Sequence, residues 1–204
     1  PRSWHNPAMP NYSATIDSRL PWVGPTIFSV MSRLAAQHGA INLSQGFPDF
    51  SAPPALFELV AKHMHAGANQ YALMAGILPL REAIAEKVAA LYGRTYDVEQ
   101  EITVTAGATQ AIFTAVAALV RPGDEVIVFE PVYDSYVPSI ELNGGTAVPC
   151  RLTFPDYRPD WEEVRARITP RTRMIIINSP HNPSGAVWTA GDMRALEQLV
   201  RGTG

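Results

Sequence analysis

Two short stretches rich in β-branched residues are apolar without a break, Val126-Ile-Val-Phe129 and Met174-Ile-Ile-Ile177. A strand with one wet face alternates apolar and polar residues, so a strand that does not alternate is buried on both faces. Such strands belong to parallel sheets, and a parallel connection must cross back over a face, usually as a helix. The sequence between and around them supplies those helices. Ala108 to Val120, Val132 to Leu142, Trp161 to Ile168 and Ala190 to Val200 read as helices, and Ile102 to Thr105 and Thr146 to Pro149 as further strands. Strands alternating with helices predict an α/β fold: a mostly parallel sheet with helices on both faces.

The first hundred residues read differently. Residues 1 to 24 carry four prolines and no periodicity, which predicts an irregular arm. Thr26 to His38 reads as a helix, Ile41 to Ser44 as a short strand, and Gly46-Phe-Pro-Asp-Phe50 as a loop. From Pro54 the residues Leu56, Leu59, Val60 and Met64 fall on one helical face, with Pro54 suited to the first turn and Gly67 to the stop. A further helix runs from Pro79 to Tyr92 on the stripe Leu80, Ile84, Val88 and Leu91, closed by Gly93. No repeat or low-complexity tract interrupts the chain.

Composition removes several function classes. Sixteen basic against nineteen acidic residues give a net charge of -3, no electrostatic basis for nucleic acid or an anionic membrane. The longest apolar run, Ala111 to Val120, is broken by Thr114 and too short to span a bilayer. One cysteine, Cys150, allows no internal disulfide framework and fits a reducing, cytoplasmic compartment. Beside Pro149 it reads as a small buried residue rather than a nucleophile. Asn11-Tyr-Ser13 matches a glycosylation sequon, but no secretory pattern opens the chain and the match reads as chance. His63 and His65 are two apart and face different sides of a helix; His5, His38 and His181 are isolated; no metal site is expected. The phosphate-loop, dinucleotide and serine-elbow fingerprints are absent.

In an open parallel sheet, ligands sit beyond the carboxyl ends of the strands. Three segments lie there. In Thr105-Ala-Gly-Ala-Thr-Gln110, Gly107 permits a tight turn, and small Ala108 and Thr109 let the N–H groups of a helix start approach an anion. The same segment also reads as an ordinary strand-to-helix turn capped by Thr105 or Thr109. In Phe129-Glu-Pro-Val-Tyr-Asp-Ser-Tyr136, Tyr133 is placed either to stack on a planar ligand or to pack a helix in the core. In Asn178-Ser-Pro-His-Asn-Pro-Ser-Gly185, two prolines and a glycine make a rigid turn around Asn182, whose amide can donate to a phenolate or accept from an amine. It reads equally as a decorated loop.

Six motifs occur in one order: Gly46-Phe-Pro-Asp-Phe50, Asn69-Gln-Tyr71, Gly76 followed by Leu80-Arg81, Thr105 to Gln110, Pro131-Val-Tyr133 and Asn178 to Pro183. Together they resemble the class I/II aminotransferases of the fold-type I pyridoxal-phosphate (PLP) enzymes. Leu43-Ser-Gln-Gly-Phe-Pro-Asp-Phe50 is most similar to the methionine and kynurenine (glutamine) aminotransferase branch. The resemblance implies an arm and the start of a small domain over residues 1–45, and the first part of an incomplete PLP-binding large domain over residues 46–204. It implies that Gly107, Ala108, Thr109 and Gln110 hold the cofactor phosphate, that Tyr133 stacks on the pyridine ring, and that Asn182 bonds the ring's phenolic oxygen. Gly46, with Asn182, would face the substrate. Tyr71 would reach the cofactor of a neighbouring subunit, implying a homodimer. The substrates would be an amino acid of methionine, aromatic or glutamine-like type and a 2-oxo acid.

The resemblance also implies a lysine that forms a Schiff base and shuttles a proton. In the family it follows the asparagine loop, in a Ser-x-x-Lys segment after an Asp-x-x-Tyr segment, and neither occurs here. The chain has only two lysines: Lys62, off the apolar stripe of its helix, and Lys87, at the edge of its own. Neither follows a strand end. No residue of this chain is therefore assigned as catalytic, and the chain is expected to be the first half of such an enzyme, cut at both ends and inactive alone. Two alternatives stay open: a cysteine-conjugate β-lyase on the same fold, and a non-catalytic module that binds PLP or only dimerises.

Overall fold

A computed structural model describes residues 17–46 and 48–201. The sequon at Asn11, His5, Phe47 and the first part of the expected arm lie outside the described residues. From residue 17 to residue 24 the chain is irregular, tied down where Arg19 Nη2 donates to the Leu142 carbonyl at 2.8 Å. Three helices follow. Helix α1, Ile27–His38, starts where Thr26 Oγ1 accepts from the Ser29 N–H and stops at Gly39, at φ 59°. Helix α2, Pro54–His65, begins with proline in its first turn. Helix α3, Leu78–Tyr92, ends on Gly93 at φ 64°, a left-handed stop that glycine adopts freely.

The second part is the sheet and its cover. In order come α4 (Ala108–Leu119), β1 (Glu125–Glu130), α5 (Tyr136–Leu142), β2 (Thr146–Arg151), α6 (Trp161–Arg167), β3 (Thr172–Ile175) and α7 (Ala190–Val200). The strands lie in the order β2-β1-β3, all parallel. Central β1 is buried on both faces, as its unbroken apolar run requires. Val126 and Val128 point to one side, into a cluster with Val116 and Val120 from α4 and its end and Ile140 of α5. Ile127 and Phe129 point to the other, into a cluster with Cys150, Leu152, Val164 of α6, Trp188 and Leu199 of α7. The crossover through α5 steps to β2 over one face, and the crossover through α6 steps back past β1 over the opposite face. Steps in opposite directions over opposite faces keep one handedness.

Two expected strands do not form. Ile41 to Ser44 is irregular: Asn42 Oδ1 accepts from the Ser44 N–H at 3.1 Å, and its Nδ2 donates to Ser32 Oγ at 3.0 Å. This local turn occupies the groups that a strand would offer to a neighbour. Ile102 to Thr105 is also unassigned. Val104 donates to the Ala75 carbonyl at 3.0 Å, but no strand among the described residues lies alongside to complete a ladder. The predicted helix from Val132 begins only at Tyr136, after a turn closed by the Tyr136 N–H on the Tyr133 carbonyl at 3.1 Å.

The apolar stripes of the early helices are real but uncovered. Leu56, Leu59, Val60 and Met64 of α2 are each about half exposed, and α1 and α2 contain no buried residue. The chain exposes 15860 Å² in all. A compact monomer of this mass exposes about 9,400 Å².

Candidate active site

Because β1 and β3 are parallel neighbours, the segments leaving them emerge at the same edge of the sheet. Tyr133 lies just past the end of β1 and Asn182 beyond the end of β3. They meet in a cavity of about 500 Å³ lined by Phe28, Ser44, Gln45, Gly46, Tyr133, Asp134, Asn182 and Pro183. Three predicted residues, Gly46, Tyr133 and Asn182, are thus brought together from positions far apart in sequence. Tyr133 is half-buried, its ring edge-on to Tyr136 with centroids 5.6 Å apart. Burial, then the neighbouring Tyr133, push the Tyr136 hydroxyl above its ordinary value of 10.0.

The loop that carries Asn182 is closed by its own hydrogen bonds. The Asn182 N–H donates to Asn178 Oδ1 at 2.8 Å, the His181 N–H to the Ala186 carbonyl at 2.8 Å, and the Gly185 N–H to the His181 carbonyl at 2.7 Å. The Trp188 N–H donates to Ser179 Oγ at 3.0 Å. These bonds hold the backbone and leave the exposed Asn182 amide uncommitted to the fold.

At the start of α4, Gly107 takes φ 88° and no side chain caps the helix. Thr105 Oγ1 instead donates to the Gly107 carbonyl at 3.0 Å, and Gln110 Oε1 accepts from the Ala106 N–H at 2.5 Å. The capped-turn alternative for this segment is therefore not what forms. Ala108, Thr109 and Gln110 are exposed, and their N–H groups face outward at the positive end of the helix dipole. Gly107, Ala108, Thr109 and Gln110 do not line the cavity; α4 is linked to it through α5, against which it packs and whose lead-in carries Tyr133.

Tyr71 is fully exposed and takes no part in the cavity. Lys62 and Lys87 are exposed on α2 and α3, and neither lines it. A larger cleft, about 730 Å³, opens beside Glu130, Arg151, Phe154 and Tyr157 and contains none of the predicted residues. Sequence reading missed Phe28 and Asp134. Ser44 and Gln45 stood inside the quoted motif, and Asp134 next to Tyr133; nothing in the α1 stripe singled out Phe28.

Residues 38–204 match the family described as Aminotransferase class I and II. The chain belongs to the class I and II aminotransferases. Over 198 residues it is 53% identical to the methionine aminotransferase of Escherichia coli, covering 97% of this chain and 50% of that protein. It is 45% identical over 186 residues to a probable N-succinyldiaminopimelate aminotransferase of Mycobacterium tuberculosis, covering 90% of the chain and 47% of that protein. A solved Escherichia coli structure, described with a methionine aminotransferase function, superposes with a TM-score of 0.89 at 54% identity, over 93% of this chain and 50% of that one. The chain thus spans about half the length of the relatives it matches, and its partial sheet with helices on both faces is part of the fold-type I architecture. The family is PLP-dependent. The residues present fit that cofactor: a half-buried ring and a free amide line one cavity, and an uncapped helix start outside that lining offers N–H groups to a phosphate. Among the described residues no helix is long and apolar enough to cross a membrane.

Proposed function

We propose that this chain is the cofactor-holding N-terminal half of a PLP-dependent aminotransferase that moves the amino group of an amino acid to a 2-oxo acid. The observation that carries the reading is the cavity at the carboxyl edge of the sheet, where Gly46, Tyr133 and Asn182 converge. When bound, PLP supplies the electron sink for breaking a bond at the amino-acid α-carbon. The N–H groups of Ala108, Thr109 and Gln110 hold its phosphate. The Tyr133 ring lies against the pyridine. The Asn182 amide donates to the phenolic oxygen and steadies negative charge there. Gly46 leaves room beside the substrate.

Neither Lys62 nor Lys87 lines the cavity, so neither is assigned the Schiff-base role. Tyr71, fully exposed here, would serve the cofactor of a second subunit, which would make the working unit a homodimer, and a cytoplasmic location belongs to the same proposal. Methionine is the first donor to test, because a relative 53% identical is a methionine aminotransferase; aromatic and glutamine-like donors follow.

The test has two steps. The coding frame is read past Gly204, where the account expects Asp-x-x-Tyr and then Ser-x-x-Lys. The full-length protein is then assayed with methionine and a 2-oxo acid. Amino transfer that requires both substrates supports the reading. Pyruvate released from a cysteine conjugate without an acceptor would make it a β-lyase instead. A stop codon in place of the lysine segment would leave only a binding module.

A further inference from the structure

His181 is 4% exposed, and no role above uses it. Its imidazole faces its own loop and strand β1. Nδ1 pairs with Ser184 Oγ at 2.8 Å, inside the loop that carries Asn182. The Phe129 backbone, near the end of β1 and four residues before Tyr133, lies close enough to the ring to pull its basicity upward. Ser184 Oγ accepts from the Ala186 N–H at 3.3 Å, so its own proton is free to point at Nδ1. That arrangement makes Nδ1 an acceptor and leaves the other ring nitrogen protonated, able to donate to a carbonyl. Burial favours the same neutral ring, holding its basicity below the ordinary value of 6.5 against the opposing pull of the Phe129 backbone.

The last sheet bond between these two strands is the Ile176 N–H on the Ile127 carbonyl, at 3.0 Å. Beyond it, the Asn182 loop rests on β1 through apolar packing of Trp188 on Phe129, centroids 4.8 Å apart, and through His181. Ring packing tolerates sliding; the buried His181–Ser184 hydrogen bond fixes a direction within the loop that packs there.

We propose that His181 is a positioning residue: buried where the loop after β3 packs on the end of β1, and tied to Ser184 within that loop, it holds the Asn182 amide in register with Tyr133. The inference rests on the reading that Asn182 and Tyr133 hold the cofactor ring. His181 touches neither cofactor nor substrate; it acts through Asn182.

The test uses the full-length protein and the variants Asn182→Ala, His181→Gln, Ser184→Ala and the double variant at 181 and 182. Three quantities are read: PLP affinity of the apo-protein by equilibrium dialysis, the pH midpoint of the bound cofactor's visible absorbance, and the melting temperature of the apo-protein. A donor on the phenolic oxygen stabilises its anion, so losing Asn182 shifts that midpoint upward. His181→Gln is expected to shift it in the same direction and to weaken PLP binding about threefold to tenfold, the range for one misaligned hydrogen bond. The double variant should go no further than Asn182→Ala, because both act through one contact. Ser184→Ala, which removes only a hydroxyl, should give a smaller shift of the same sign and covers the case in which His181→Gln does not fold. A His181→Gln protein that melts lower but keeps the wild-type midpoint would overturn the inference, as would shifts that add in the double variant. Wild-type protein that takes up no PLP would overturn the underlying reading, and this inference with it.

Discussion

At Gly76 the backbone sits at φ 96°, and a Cβ there would come 2.6 Å from Val104 Cγ2. The turn is pinned on its other side by Arg81, only 3% exposed, whose Nε donates to the Gly76 carbonyl at 3.1 Å. Neither contact can give way cheaply. Gly76→Ala should therefore destabilise the full-length protein by about 1–3 kcal/mol, read as a lower urea midpoint. Cys150 offers a second check. It is 2% exposed, and burial pushes its thiol up to about 11. A disulfide reagent at pH 8 should leave it unmodified in the native protein and label it after unfolding. The sequence identified this cysteine correctly as buried, because a small apolar residue beside a strand proline has few other places to go. It could not decide the Thr105 to Gln110 segment. Composition allows either a threonine cap or an open helix start, and only the rotamer that sends Thr105 Oγ1 to the Gly107 carbonyl separates them. The burial of His181 and its bond to Ser184 were equally illegible, because they depend on how the loop folds back onto β1.

The elements were legible where they carry their own periodicity. Unbroken apolar runs marked β1 and β3, and the stripes of α3, α4 and α7 marked those helices to within a residue or two. Ile102 to Thr105 has strand composition but no ladder neighbour among the described residues, and a strand is defined by its partner as much as by its sequence. Register was not legible at all. At the start of β1, Glu125 pairs with Thr172 and Val126 with Met174, so the strand slips past Arg173. Glu125 anchors this slip, accepting from Thr169 Oγ1 and from the Arg171 guanidinium. Those two bonds, from Thr169 and then Arg171, hold its carboxyl below the ordinary 4.5. The folded state thus takes up a proton less readily than the unfolded chain. The stabilisation is complete above the unfolded value and lost as pH falls through the lower folded one. Glu125→Gln should lower the melting temperature of the full-length protein at pH 7, and the gap to wild type should narrow below about pH 4. Deeper in the same strand, Ile127 is fully buried. Ile127→Ala should cost about 2–5 kcal/mol in chemical denaturation.

For the whole molecule, the decisive quantity is surface. The chain exposes 15860 Å², against about 9,400 Å² for a compact protein of its mass. Large apolar side chains stand exposed on α2, at Leu73 and Met74, and at Tyr71. Surface of that kind is covered in a working protein or drives association. The 204-residue chain expressed alone should sediment as oligomers or aggregate and bind a hydrophobic dye; a monomer that melts cooperatively would contradict this. The family was legible because six motifs recur in order, but the convergence of Gly46, Tyr133 and Asn182 on one cavity is a property of the folded sheet. The measurement that bears most directly on the account is a crystal structure of the full-length protein with PLP bound. It should place the phosphate on the N–H groups of Ala108, Thr109 and Gln110, the pyridine against Tyr133, and the phenolic oxygen on the Asn182 amide. A cofactor seated elsewhere, with that cavity empty, would contradict it.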